Sequence, residues 1–230
     1  MSNYLKKIFA IMFGAIALSA ITSWATMYLG GMELVINSAG TGLSPLFYVI
    51  MFGGVGVSLF AQVRAFHMSP TIGAICLAIY AATIGFILTP LIWFSISTMD
   101  PASVGIWENP IIQAFVITTL MFGCMALFGY KTVKDLSFLG IFLVFGMIGL
   151  FITGLISMIW PLGSTMSLIV SAIGVLVFAL FTAYDMQFLK KAYEQTPENQ
   201  RDQLAVLGAL HLYISFVAMF QYILSLLNRR

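Results

Sequence analysis

Apolar residues run along this chain in long blocks, and the charged residues collect almost entirely in the short gaps between them. The blocks are Ile8–Gly30, Pro45–Gln62, Thr71–Phe94, Ile111–Tyr130, Phe138–Trp160, Met166–Leu189 and Leu204–Leu227. Each is near the roughly 20 residues that a helix needs to cross the hydrocarbon of a bilayer. A lone strand would leave its backbone polar groups unsatisfied in lipid, so each block predicts a helix. The pattern predicts an all-α polytopic membrane protein, with seven transmembrane helices in a single integral membrane domain over residues 1–230.

Composition agrees with that class. Apolar residues make up 61% of the chain and charged residues 8%, against about 25% charged in ordinary soluble domains. A surface so poor in charge is suited to lipid, and the bilayer is the first partner implied. The formal charge of +2 is scattered, with no basic run to hold nucleic acid. Cys76 and Cys124 lie in apolar stretches far from any metal-ligand spacing and read as small packing residues.

The first block follows Lys6 and Lys7 and is longer than the apolar region of a signal peptide, so it reads as a retained helix. Pro90 falls inside the third block and is expected to kink it. Gly53, Gly54, Gly56 and Ser58 give the second block a small-residue face for close packing. The longest polar connection, Lys190–Asp202, mixes both signs of charge and reads as a solvated loop.

Orientation follows from the basic residues. Lys6, Lys7, Arg64, Lys131, Lys134, Lys190, Lys191 and Arg201 fall at the N-terminus or in the even-numbered connections, whereas the odd-numbered ones hold Glu33, Asp100 and Glu108. The N-terminus is therefore expected on the cytoplasmic side. Seven crossings would put Arg229 and Arg230 outside, against the same rule. Either the last helix crosses despite that pair, as its length favours, or it enters and returns. The short loops and ends suit a bacterial plasma membrane.

One carboxylate breaks the pattern. Asp185 stands inside the apolar stretch Val170–Leu189 with no basic residue within four positions. Its same-face neighbours along a helix are Phe181, Thr182, Phe188 and Leu189. An ionisable group in hydrocarbon is costly and marks function by default. Asp185 lies roughly 7 Å inward from Lys190 along the helix. On the orientation above, Arg64 and His67 close the second helix on that side, and His211 enters the seventh about two turns deep. His211, Ser215, Ala218 and Tyr222 follow helical spacing and form a polar-tipped stripe that could face Asp185. The plain alternatives are an Asp at headgroup level, a hydrogen-bonding His211 and an interfacial anchor at Arg64. The sharper reading is a proton-sensitive latch at Asp185, set by the balance of burial against a nearby cation.

These residues also carry a resemblance. The stretch Phe181-Thr-Ala-Tyr-Asp-Met-Gln-Phe-Leu-Lys190, followed by Leu207-Gly-Ala-Leu-His-Leu-Tyr-Ile-Ser-Phe216, resembles the signature of the Bax inhibitor-1 (transmembrane Bax inhibitor motif) family. Thr132-Val-Lys-Asp-Leu-Ser137 and Tyr80-Ala-Ala-Thr-Ile-Gly85 are similar to it as well. The resemblance implies a seven-helix bundle around a central helix and, in several members, a pH-sensitive calcium leak. It also implies that the Asp of Ala-Tyr-Asp, here Asp185, pairs with a second Asp on the last helix. An Arg near the end of the second helix would close the pore on that pair, and its place falls at Arg64 or at His67. The chain departs from the pattern on its last helix. Where the family commonly reads Leu-Tyr-Leu-Asp-Phe-Ile-Asn, this sequence reads Leu212-Tyr-Ile-Ser-Phe-Val-Ala218, with Ser215 in place of the second carboxylate. His211, one turn earlier, would then supply a different titrating partner.

Two function classes follow. One is a channel or leak in which Asp185 binds a passing calcium ion and senses protons, with no bound cofactor. The other is a non-transporting regulator that binds and restrains a membrane-bound protease, a role the resemblance suggests for some bacterial members. Loss of the second carboxylate weakens the first class and is easier to accommodate in the second. An enzyme is not expected, because the sequence has no nucleophile–base pair, His-rich metal spacing or phosphate-binding glycine loop.

Overall fold

The computed structural model describes residues 2–37, 42–64, 67–97, 105 and 108–228. Asp100, Arg229 and Arg230, which entered the orientation argument, lie outside the described residues. The helices are α1 (Ser2–Tyr28), α2 (Met32–Val35), α3 (Pro45–Arg64), α4 (Pro70–Ser97), α5 (Pro110–Lys131), α6 (Ser137–Ile159), α7 (Ser164–Gln195) and α8 (Arg201–Leu227), with a 3-10 turn at Glu198–Gln200 before the last. Seven of them, all but α2, are long and apolar enough to span a membrane. No strand occurs among the described residues beyond the isolated bridge Ile36–Leu43. The protein is an all-α polytopic membrane protein. Large apolar side chains such as Phe13, Trp24, Phe60, Leu120, Phe145 and Leu176 are exposed along the spanning helices and form the surface that meets lipid. α8 is the most buried span, 67% against 17–39% for the other six.

The chain forms two compact units, Met1–Thr98 with Ala192–Tyr213, and Met99–Lys191 with Ile214–Arg230. In the first, α1 packs along α4 through small residues. A methyl group at Gly85 would overlap the carbonyl oxygen of Ser19, so the two backbones approach as only glycine permits. Hydroxyls line the same seam. Ser19 donates to the Ala81 carbonyl at 2.8 Å and stands 2.5 Å from the Tyr213 hydroxyl, and Thr89 donates to Ser23 at 3.3 Å. On α3, Gly54 meets Thr83 and Ser58 is buried, while Gly53 and Gly56 face open space. The expected small-residue face is thus narrower than Gly53–Ser58, because Gly54 and Ser58, four apart, share one side of the helix and Gly53 and Gly56, three apart, share another. Val35, Phe47 and Phe86 form a buried cluster beneath the short α2. α4 runs on through Pro90 to Ser97.

The stretch expected as a loop at Lys190–Asp202 is mostly helical. α7 continues to Gln195, Pro197 precedes the 3-10 turn, and α8 begins at Arg201. Only the residues around Thr196–Pro197 break the helix, because proline disfavours helical backbone in the residue before it. Tyr193 is held between the Tyr4 ring, 4.7 Å centroid to centroid, and the Arg201 guanidinium, 4.5 Å above it. Lys7 pairs with Asp202 at 2.6 Å.

In the second unit, Asn109 caps α5 by accepting from the Ile111 and Ile112 N–H groups, with Pro110 in the first turn. Asp135 starts α6 by accepting from the Ser137 N–H and hydroxyl. Cys124 is exposed on α5, which corrects the packing role given to it; Cys76 is half-buried.

Candidate functional site around Asp185

Asp185 lies on α7 ten residues before its end. The side chain is 5% exposed, so protein rather than water surrounds it. Ser215 on α8 donates to its Oδ2 at 3.4 Å, a long bond to a hydroxyl that is itself buried. Of the polar stripe on α8, Ser215 faces α7 at Asp185, and Tyr222 faces it further along. The Tyr222 ring stacks on Phe178 at 6.1 Å and fills the notch left by Gly174, where a Cβ would stand 2.6 Å from the ring. Ser171 and Ser225 face each other at 3.4 Å. Residue numbers fall along α7 as they rise along α8, so these segments run antiparallel, with Asp185–Ser215 at one end of the seam and Ser171–Ser225 at the other.

Each residue around Asp185 meets a different element. The carbonyl of Ala183 lies against Gly129 of α5, where an added methyl would overlap it. The Tyr184 ring covers Gly140 of α6, within 2.9 Å of where a Cβ would stand. Gln187 reaches the turn between α5 and α6, accepting from the Leu136 N–H at 2.8 Å and donating to the Lys134 carbonyl at 2.7 Å. One turn on, Lys190 donates to the Tyr130 carbonyl at 3.3 Å and lies 5.3 Å over the Tyr130 ring. The Ala-Tyr-Asp-x-Gln run is therefore where α7 is gripped by α5, α6, their connecting turn and α8. Sequence reasoning singled out Asp185 there and assigned no role to Gln187, Gly129 or Gly140.

Lys191 pairs with Asp135 at 2.8 Å outside the apolar spans. The Lys191 ammonium, then the Ser137 hydroxyl and N–H, hold the Asp135 carboxyl well below the usual carboxylate range. A depressed carboxylate adds stability above its unfolded value near pH 4 and loses it as pH falls through the folded value. Both partners are half-exposed or more, so the contribution is small and screened by salt. Carbon NMR of labelled Asp135 should show it still ionised at about pH 3, and Lys191→Gln should return its midpoint toward about 3.9. An Asp135 titrating normally beside Lys191 would show that the pair does not persist in solution.

The other residues singled out from sequence, Arg64, His67 and His211, belong to the first unit. Arg64 ends α3 and is exposed, and His67 follows in a turn closed by its N–H on the Arg64 carbonyl at 2.9 Å, also exposed. The two alternatives for the cationic position are thus one turn apart. His211 is half-buried on α8 between the buried Leu210 and Leu212. Among the described residues, no three His, Cys, Asp or Glu side chains converge as a metal site would require.

The family described as inhibitor of apoptosis-promoting Bax1 matches residues 1–230. The chain belongs to that family. Similar proteins include the inner membrane protein YbhL of Escherichia coli, 29% identical, with 100% of this chain and 93% of YbhL covered. An uncharacterized protein of Caulobacter vibrioides is 30% identical over 96% of this chain and 88% of its own length. An uncharacterized protein of Rickettsia prowazekii is 28% identical over 99% of this chain and 90% of its own. Family membership extends over the whole chain, so the gripped segment of α7 belongs to a member of the Bax inhibitor-1 family.

Proposed function

We propose that this protein is a Bax inhibitor-1-type leak of a bacterial inner membrane, passing calcium under the control of a proton at Asp185. The observation that carries the reading is a carboxylate almost wholly enclosed by protein near the end of the apolar stretch of α7, bonded to the Ser215 hydroxyl. Such a group changes its contacts when it gains or loses a proton. In this reading Asp185 is the oxygen ligand that a passing ion meets. One carboxylate and one hydroxyl supply few of the six to eight oxygens that calcium takes. The ion is therefore substrate in transit, with no resident metal or cofactor and no enzymatic step. The basic residues support a cytoplasmic N-terminus, and the description of YbhL as an inner membrane protein supports the location.

Ser215 favours a second reading. A hydroxyl where the family commonly carries a second Asp leaves the site with half the expected charge, which fits a regulator that binds and restrains a membrane protease without transport. Purified protein in calcium-loaded liposomes separates the two. The leak reading expects efflux that changes across about pH 6–8 in the wild type and is insensitive to pH in Asp185→Asn. Efflux absent at every pH rejects the leak and leaves the regulator.

A further inference from the structure

Gln187 is an uncharged polar side chain buried where α7 leaves the apolar region, 6% exposed, and both ends of its amide are used. Its oxygen accepts from the Leu136 N–H at 2.8 Å and its nitrogen donates to the Lys134 carbonyl at 2.7 Å. These backbone groups lie in the turn that joins α5 to α6, more than fifty residues away along the chain. The turn needs such partners. Its N–H and C=O groups lie beyond the end of α5 and before the start of α6, where no helix satisfies them. A two-point bond by a planar amide also fixes direction, which a single hydrogen bond or an exposed ion pair does not.

Gln187 and Asp185 are two positions apart, so they point to different sides of α7. One meets the α5–α6 turn and the other meets Ser215 of α8. Rotation of α7 about its axis, or a slide along it, would break the amide pair and carry Asp185 off Ser215 together. Near this level Gly129 and Gly140 admit α7 so closely that an added methyl at either would collide with it, so little slack is available for the helix to readjust.

We infer that Gln187 is a positioning residue for Asp185: by clamping α7 to the Lys134–Leu136 turn it sets the rotation and depth at which the carboxylate meets Ser215. The inference rests on the proposed function only in taking Asp185 as the working side chain, and its test needs no ion flux.

The test reads two signals from the full chain in lipid nanodiscs at one fixed pH. The first is hydrogen exchange of the Leu136 amide. The second is the infrared carboxyl band of Asp185, isolated by subtracting the spectrum of Asp185→Asn. Gln187→Met keeps the length and apolar volume of the side chain but neither bond. It should speed Leu136 exchange about tenfold, the scale of one lost hydrogen bond, and should shift the Asp185 band in the same direction as Ser215→Ala does. Gln187→Glu, which still accepts from Leu136, should move both signals less and serves as the test if the Met variant does not fold. A Leu136 amide that exchanges faster while the Asp185 band stays at its wild-type position would overturn the inference, since Gln187 would then only tie down the turn. Unchanged exchange would overturn it as well. Loss of the calcium leak from the wild type would reject the proposed function and leave this result standing.

Discussion

Gly129→Ala is expected to lower the thermal unfolding midpoint of the detergent-purified protein by roughly 5 °C or more. Gly123→Ala, on the same helix, should leave it unchanged or raise it slightly. Both substitutions gain the same helix propensity, about 1 kcal/mol in favour of alanine, so their difference isolates the packing. At Gly123 nothing lies within 4 Å of an added Cβ. At Gly129 the methyl would overlap the Ala183 carbonyl oxygen and stand 2.7 Å from its Cα. Those are backbone atoms, which cannot turn aside as the tip of a side chain can. α5 and α7 would have to separate at the segment that carries Asp185. Equal midpoints for the two variants would show that α5 does not approach Ala183 so closely.

The second large effect is at Asp185 and Ser215 together. In the liposome assay Asp185→Asn should remove the pH response altogether, because the amide keeps the shape and hydrogen-bonding reach of the carboxyl but takes up no proton in this range. Ser215→Asp should act in the opposite sense and raise calcium flux at neutral pH by about tenfold, the order expected of one added charge-assisted contact. The new carboxylate would stand where a hydroxyl now lies 3.4 Å from Asp185 Oδ2, giving a divalent ion two charged ligands and coupling the two titrations. A Ser215→Asp variant with wild-type flux would show that charge at this pair does not limit passage.

How far the sequence could be read depended on the range of the forces involved. The seven spans were legible because the thickness of hydrocarbon dictates their length, and every apolar block became a helix. Their ends were not. α7 runs six residues beyond Leu189 because a helix that has left lipid continues freely through Lys190, Lys191 and Glu194 in water. α2, at four residues, is too short to display a period. Asp185 was legible because its cost in an apolar block needs no knowledge of the fold. Gln187 was not, since its two partners lie more than fifty positions away in a turn that only tertiary packing brings under α7. Gly123 and Gly129 look alike in sequence, and only the neighbouring backbone distinguishes the open position from the crowded one.

The seam between Ser171–Asp185 and Ser215–Ser225 restricts how those two segments can move. The Tyr222 ring fills the notch at Gly174 and lies flat on Phe178. Displacement by one helical repeat, about 5.4 Å, would drive that ring into side chains with no recess to receive it. Sliding along the common axis is thus blocked by an aromatic peg seated well away from the carboxylate.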